Sequence, residues 1–376
     1  MKILQLGKFY PVEGGVEKVM YDLMTGLSES GVVCDMLCAS NINGGRTMVI
    51  NDYAKLMICR AWMKKAATMI SPEMILLLHK ICRRYDIVHV HHPDPMACLA
   101  LFLSGYKGKV VVHWHSDICK QKMLLKFYIP LQKWLLHRAD VIIGTTPTYL
   151  EESPYLRGMS WKFACLPIGV DAMSSTPEKV ESVRRSFGGR KIVFSLGRLV
   201  AYKGYGYLVE AARYLSDEFV VLIGGTGDLK EELQRQIDAL GLNERVKLLD
   251  FVSDDLLPAY YGACDLFCLS SVQKTEAFGI VQIEAMSFGK PVVATMIPHS
   301  GVSWVNKHGV SGLNVQPKDS KALAEAIMKI TDNREVYQKY SRNAADRYKN
   351  LFTKETMVSR CIEIYQNLMN EKDWQL

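Results

Sequence analysis

The feature that constrains this chain most is an alternation of short, β-rich apolar runs with stretches of helical period, carried through twice. That pattern belongs to parallel sheets flanked by helices, so the chain is an α/β protein. In the first half the strand candidates are Ile3 to Leu6, Val32 to Cys38, Ile87 to Val90, Val110 to His113 and Val141 to Ile143. Helices fit Val16 to Glu29, Glu73 to Arg84, Pro95 to Ser104 and Gln121 to Arg138. In the second half strands fit Ile192 to Leu196, Val220 to Ile223, Val246 to Leu249, Leu266 to Leu269 and Val292 to Ala294. Three helical segments close the chain, near 319–330, 334–348 and 354–370.

Between the two series lies CLPIGVDAMSSTPE, where Pro167, Gly169, Ser174, Ser175 and Pro177 cluster and predict a hinge at residues 167–178. A length of 376 residues also predicts two domains at about 150 residues each. The expected division is 1–170, 171–350 and a C-terminal helix, 351–376, packing back on the first domain. Each half resembles a doubly wound nucleotide-binding domain, whose ligands lie outside the carboxyl ends of the strands.

Apolar residues at 49% and charged residues at 23% exclude a disordered, collagenous or coiled-coil chain. The net charge of +7 sits wholly in residues 1–170, which hold 20 Lys and Arg against 13 Asp and Glu. The first half is therefore expected to meet something acidic: phosphate, nucleic acid or anionic membrane. The ten cysteines lie largely in apolar runs without CxxC or zinc spacing. They read as buried thiols in a reducing, cytoplasmic compartment. MKILQLGKFY has no signal-peptide core, and no apolar stretch reaches the roughly 18 to 20 residues of a membrane span, so any membrane role is peripheral.

The most informative segment is SSVQKTEAFGIVQIEAMSFGKPVVAT, residues 270–295. Here a strand ends, a loop carries Glu276, and a helix starting about Phe278 or Gly279 stops at Gly289. The helix start offers free N–H donors and a positive dipole end to a phosphate. Glu276 and the second-turn Glu284 bracket that site, and carboxylates beside a phosphate suit sugar and ribose hydroxyls. Otherwise Glu276 only complements the helix dipole and Glu284 is a solvated surface residue. In FSLGRLVAYKG, Arg198 and Lys203 follow a strand end, placed for a diphosphate or else solvated.

Gly14 and Gly15 lie between the first strand and the first helix, where a ligand can approach the backbone, but GKFYPVEGGVEKV is not a P-loop. GGTGDL at 224–229 is a poor dinucleotide fingerprint and reads as a tight strand-to-helix turn. His89, His91, His92, His113 and His115 cluster at strand ends without metal-ligand spacing. His115, furthest past its strand, is the best candidate to line a cleft and donate a hydrogen bond. Residues 120–138 interleave Lys120, Lys122, Lys126, Lys133 and Arg138 with Met123, Leu124, Phe127, Tyr128, Leu131, Trp134 and Leu135. That segment is either a basic amphipathic helix for anionic lipid or a core helix with a solvated face.

These residues together resemble a retaining glycosyltransferase of family 4 (group 1), nearly end to end. The E-x7-E pattern from Glu276 to Glu284 carries the likeness most specifically, then Gly197-Arg198-Leu199 with Lys203-Gly204. WHSDICKQKMLLKFYIPLQKWLL and RADVIIGTTPTYLEESPYL are similar to bacterial members that build surface polysaccharides. The resemblance implies the GT-B architecture, two Rossmann-like domains facing across a deep cleft. It implies that Arg198 and Lys203 hold the diphosphate of a nucleoside-diphosphate sugar. Glu284 would bind ribose, Glu276 the sugar hydroxyls, and Phe278, Gly279 and Ile280 would present backbone N–H groups. Phe251 and Val252 would flank the base, Gly14 and Gly15 would approach the diphosphate, and His115 would hydrogen-bond the transferred sugar. Many members carry Pro where this chain has Leu229.

The implied acceptor is a saccharide, on a lipid carrier at the inner membrane face. No metal, other cofactor or nucleic acid is called for. GDP-mannose leads as donor, ahead of UDP-hexose and dTDP-rhamnose. Two alternatives stay open: a GT-B nucleotide-sugar epimerase, and a non-catalytic nucleotide- or polyanion-binding module.

Overall fold

The computed structural model describes residues 1–12, 14–65, 68–118 and 122–371; the side chains of 122–124 are outside that description. The chain divides into two compact units, Met1–Gly169 joined by the segment from Lys354 on, and Val170–Thr353.

The strands of the first unit are β1 (Lys2–Phe9), β2 (Val33–Ser40), β3 (Arg46–Asn51), β4 (Ala54–Arg60), β5 (Met63–Lys65), β6 (Thr68–Ile70), β7 (Ile87–His92), β8 (Lys109–Trp114), β9 (Val141–Gly144) and β10 (Phe163–Cys165). Eight of them form one sheet in the order β10-β9-β8-β7-β1-β2-β4-β3, with β5 and β6 as a separate hairpin. All pairings in the large sheet are parallel except β3 with β4. The order reverses between β1 and β7, so the topological switch point lies there.

The second unit carries β11 (Lys191–Leu196), β12 (Phe219–Gly224), β13 (Val246–Leu248), β14 (Leu266–Leu269), β15 (Val292–Thr295) and β16 (Gly312–Val315). They pair in parallel in the order β13-β12-β11-β14-β15-β16, and this sheet reverses between β11 and β14. Every residue of β12, β14 and β15 is buried, as expected of strands covered by helices on both faces. A core of Val193, Leu208, Val221, Ile223, Leu233 and Ile327 among others fills the space between strands and helices.

The helix ends follow from local chemistry. Helix Pro95–Ser104 starts on Asp94, whose carboxylate accepts from Met96 N at 3.0 Å and Ala97 N at 3.1 Å, with Pro at the first position. Helix Ile280–Ser287 stops in a Schellman pattern, Lys290 N donating to Ala285 O and Gly289 N to Met286 O. Helix Lys354–Met369 belongs to the first unit, where Tyr365 is fully buried. No helix among the described residues is long and apolar enough to cross a membrane.

Candidate active site

The second unit's switch point brings the predicted charges together. Lys203 lies in the loop leaving β11 and Glu276 in the loop leaving β14. The Lys203 Nζ is 2.6 Å from Glu276 Oε2, and both residues are buried. The two loops are also tied through the backbone: Val272 N donates to Tyr202 O at 2.8 Å, and Ser270 Oγ to Lys203 O at 3.0 Å. Ser271 Oγ donates to Glu276 Oε2 at 2.9 Å, and Ser300 Oγ donates to the Glu276 carbonyl. Burial of an ion pair is costly unless further hydrogen bonds complete it, and the Ser271 hydroxyl supplies one.

Three carboxyl-end loops are laced into one rim. Gly197 N donates to Gly224 O at 3.0 Å, Leu199 N to Thr226 O at 2.8 Å and Gly225 N to Asp250 O at 2.7 Å. A Cβ on Gly225 would lie 2.1 Å from Gly197 O, so only glycine allows this approach. The GGTGDL segment is thus a strand-to-helix turn that leads into helix Lys230–Ala239. Arg198 projects from this rim as an exposed side chain with no ion pair among the described residues.

Helix Ile280–Ser287 begins one to two residues later than expected, because Gly279 caps it with a left-handed φ of 75°. The N–H groups of Phe278, Gly279 and Ile280 donate to no backbone or side-chain group among the described residues. They follow the buried Glu276 directly. Glu284 sits on this helix, where the fully buried Tyr261 donates to its Oε2 at 2.7 Å. Burial holds the Tyr261 hydroxyl well above its ordinary pKa, so it stays a donor. Glu284 is therefore positioned and half-buried rather than a loose surface acid. Of the expected base-flanking pair, Phe251 is 74% exposed and Val252 is buried.

In the first unit Gly14 caps helix Gly15–Glu29, and Lys18 N donates to Gly14 O at 3.0 Å. Beside it at the β1/β7 switch point is Lys8, a buried cation that the sequence reading overlooked. Its Nζ donates to Pro93 O and its backbone N to Asp94. Burial lowers the Lys8 pKa and raises that of Asp94.

The five histidines are all buried. His91 pairs in register with His113, so His89, His91, His113 and His115 share one sheet face. Their rings stack, His89 on His91 at 4.7 Å and His113 on His115 at 3.9 Å. His115 turns one nitrogen inward, its Nε2 lying 2.9 Å from His91 Nδ1, which leaves Nδ1 as the atom that could meet a ligand. Of the other histidines His91 uses both nitrogens, whereas both nitrogens of His113 and Nε2 of His89 lack partners. Nitrogens of His89, His91 and His113 lie within 4.8 Å of one another. Stacked rings aim their lone pairs along near-parallel planes, however, and His91 already uses both nitrogens, so the trio fits a metal poorly.

In helix Lys122–Arg138, Leu125, Tyr128 and Leu135 are buried while Phe127 is 84% exposed. Lys120 lies outside the described residues.

Comparison with known proteins agrees with this architecture. Residues 178–347 match the Glycosyl transferases group 1 family, and residues 13–173 match Glycosyltransferase Family 4. The O-antigen chain mannosyltransferase C of Escherichia coli is 29% identical, covering 99% of this chain and 100% of its own. The D-rhamnosyltransferase WbpZ of Pseudomonas aeruginosa is 31% identical, covering 94% and 92%. Among solved structures, Anabaena Alr3699/HepE in complex with UDP superposes with a TM-score of 0.78 at 21% identity, covering 98% of this chain and 100% of that one. With two Rossmann-like sheets of the GT-B kind and relatives along almost its whole length, the chain belongs to glycosyltransferase family 4, the group 1 glycosyltransferases.

Proposed function

We propose that the protein transfers a hexosyl group, with retention of anomeric configuration, from a nucleoside-diphosphate sugar to a lipid-linked saccharide during bacterial surface-polysaccharide synthesis. The observation that carries this reading is the Lys203–Glu276 pair across the second unit's switch point, followed directly by open N–H groups at Phe278–Ile280. A cation, a carboxylate and a helix tip at one place match a diphosphate that bears a polyhydroxyl group.

As the anomeric bond breaks, the leaving diphosphate gains negative charge. Lys203, Arg198 and the helix N–H groups then bind it more strongly than they bind the ground state. Lys203 exchanges its Glu276 contact for phosphate, which leaves the Glu276 carboxylate to accept hydrogen bonds from the sugar hydroxyls. Glu284, held by Tyr261, takes the ribose, and Phe251 and Val252 take the base. The departing phosphate accepts the acceptor's proton in a front-face attack, and these fixed cations replace a metal. In the first unit, Gly14, Gly15 and His115 are that unit's candidate substrate contacts.

GDP-mannose leads as donor on this reading, with UDP-hexose and dTDP-rhamnose next; the names of the mannosyl- and D-rhamnosyltransferase relatives support a hexosyl group and name no nucleotide. For the acceptor's lipid surface, the first unit offers an apolar groove of about 340 Å³ lined by Lys65, Ile70, Leu99, Phe127, Tyr128 and Leu131. Trp62 and Met63 stand exposed on the adjoining hairpin. Lys64, Lys65 and Lys126 are exposed beside this apolar surface and suit anionic headgroups.

Incubation with each sugar nucleotide, alone and with lipid-linked acceptor, tests the reading. Glycosylated lipid formed only with acceptor, at a rate unchanged by EDTA, is the expected result. An epimerised donor formed without acceptor would overturn it.

A further inference from the structure

A chain of hydrogen bonds runs through the first unit's buried histidine cluster and ends at His115. Gln5 on β1 presents its amide NH2 to two groups, Tyr365 OH at 3.2 Å and Cys34 Sγ at 3.6 Å. Its carbonyl oxygen then faces His91 Nε2 at 2.7 Å. A carbonyl only accepts, so His91 Nε2 carries the hydrogen. Burial keeps these imidazoles neutral, with pKa values well below the ordinary histidine value, and a neutral ring has one N–H. His91 Nδ1 is therefore a bare lone pair. It lies 2.9 Å from His115 Nε2, which must be the donor. The one remaining atom, His115 Nδ1, then carries no hydrogen. It donates to and accepts from no described residue, and it is not among the buried nitrogens that lack partners.

We infer that Gln5 and His91 are positioning residues that fix His115 in the Nε2–H tautomer, so that His115 offers substrate an acceptor at Nδ1 rather than a donor. The group it recognises is then a hydroxyl that gives its hydrogen to the ring, as a sugar hydroxyl does. It is not a phosphate or carbonyl oxygen. This corrects the expectation that His115 donates. Tyr365, on helix Lys354–Met369, anchors the other end: its hydroxyl accepts from Gln5 and is hydrogen-bonded to His89 Nδ1. Helix Lys354–Met369 thereby holds the Gln5 amide that orders a proton position 250 residues earlier in sequence. The consequence for sugar recognition rests on the transferase reading above, whereas the tautomer itself does not.

The test is nitrogen NMR of the full chain labelled with 15N-histidine, with His115 assigned by loss of its signals in His115→Asn. The expected spectrum shows His115 Nδ1 in the unprotonated range and Nε2 in the N–H range, with no change on lowering the pH to about 6. A protonated Nδ1 would overturn the inference, whether or not any transfer activity is found. Gln5→Leu removes the acceptor that orders the chain and should give a mixture of both tautomers. The same variant should lower kcat/KM with GDP-mannose about tenfold, the size of one hydrogen bond, while affinity for GDP changes less than about twofold. Gln5→Glu keeps an acceptor facing His91 and should restore the wild-type tautomer. Should Gln5→Leu fail to fold, the wild-type spectrum alone decides. A Gln5→Leu spectrum like the wild type's would show that Gln5 does not set the tautomer.

Discussion

The two units place polar side chains at the carboxyl ends of parallel strands in opposite ways. In the second unit the groups are charged and mutually neutralising: Lys203 on Glu276, with Ser271 completing the carboxylate's bonds. In the first unit most are neutral imidazoles, stacked and linked through Gln5 and Tyr365, with burial suppressing their charge. A fixed charge suits a ligand whose own charge grows during reaction, whereas a neutral, tautomer-fixed ring suits a hydroxyl. The same doubly wound scaffold thus supports both kinds of recognition, and the side chains at the rim decide which.

The largest expected effect tests the charged side of that contrast. Lys203→Ala should lower kcat by about 10² to 10³, as for loss of one preorganised transition-state donor. Because it leaves Glu276 buried and uncompensated, it should also destabilise the second unit by about 3–5 kcal/mol in urea unfolding. The double variant Lys203→Met with Glu276→Gln should recover most of that stability and none of the activity. Recovered activity would mean that the pair is structural only.

Acid should separate the units next. The pKa values of His89, His91, His92, His113 and His115 are all depressed in the fold, His113 to about 3. Below about pH 6.5 the unfolded chain binds protons that the folded chain does not, so stability falls as the pH drops. Each neutral imidazole adds about 1.4 kcal/mol per pH unit to that slope. The second unit has only the exposed His299 and His308, so hydrogen exchange at pH 5 should open the first unit well before the second. Equal protection of both units would break the contrast.

The smallest effect concerns the first unit's surface. Alanine at any one of Lys64, Lys65 or Lys126 should weaken co-sedimentation with anionic vesicles about fivefold, at roughly 1 kcal/mol for the one basic residue lost, and leave GDP affinity unchanged. Unaltered sedimentation would remove the lipid role from that surface.

Much of this was legible in the sequence because parallel strands buried on both faces are continuous apolar runs. Leu266–Leu269 and Pro95–Ser104 fall where the pattern puts them. The runs that escaped are β3, β4, β5, β6, β10 and β16: Arg46–Asn51 has polar residues at both ends and only three apolar residues between them, and β5, β6 and β10 are only three residues long each. Such strands exist because a neighbour's unpaired edge accepts them, which is a tertiary fact. At the site, the residue types Lys203, Glu276 and Glu284 were readable from spacing. Their partners Tyr261, Ser271 and Ser300 were not, because each is joined by a contact with no sequence signature. The histidine relay was hidden for the same reason, its members lying between 24 and 360 residues apart. Lys8 was overlooked because a buried lysine looks like any other lysine in a sequence.

On the proposed function, the loops leaving β11 and β14 hold the diphosphate of the donor. A crystal structure of the full chain with the nucleoside diphosphate selected by the transfer assay tests it most directly. Phosphate oxygens are expected within hydrogen-bond distance of Lys203 Nζ, the Arg198 guanidinium and the N–H groups of Phe278–Ile280, with ribose on Glu284. A nucleotide bound elsewhere, with the Lys203–Glu276 pair still closed, would contradict it.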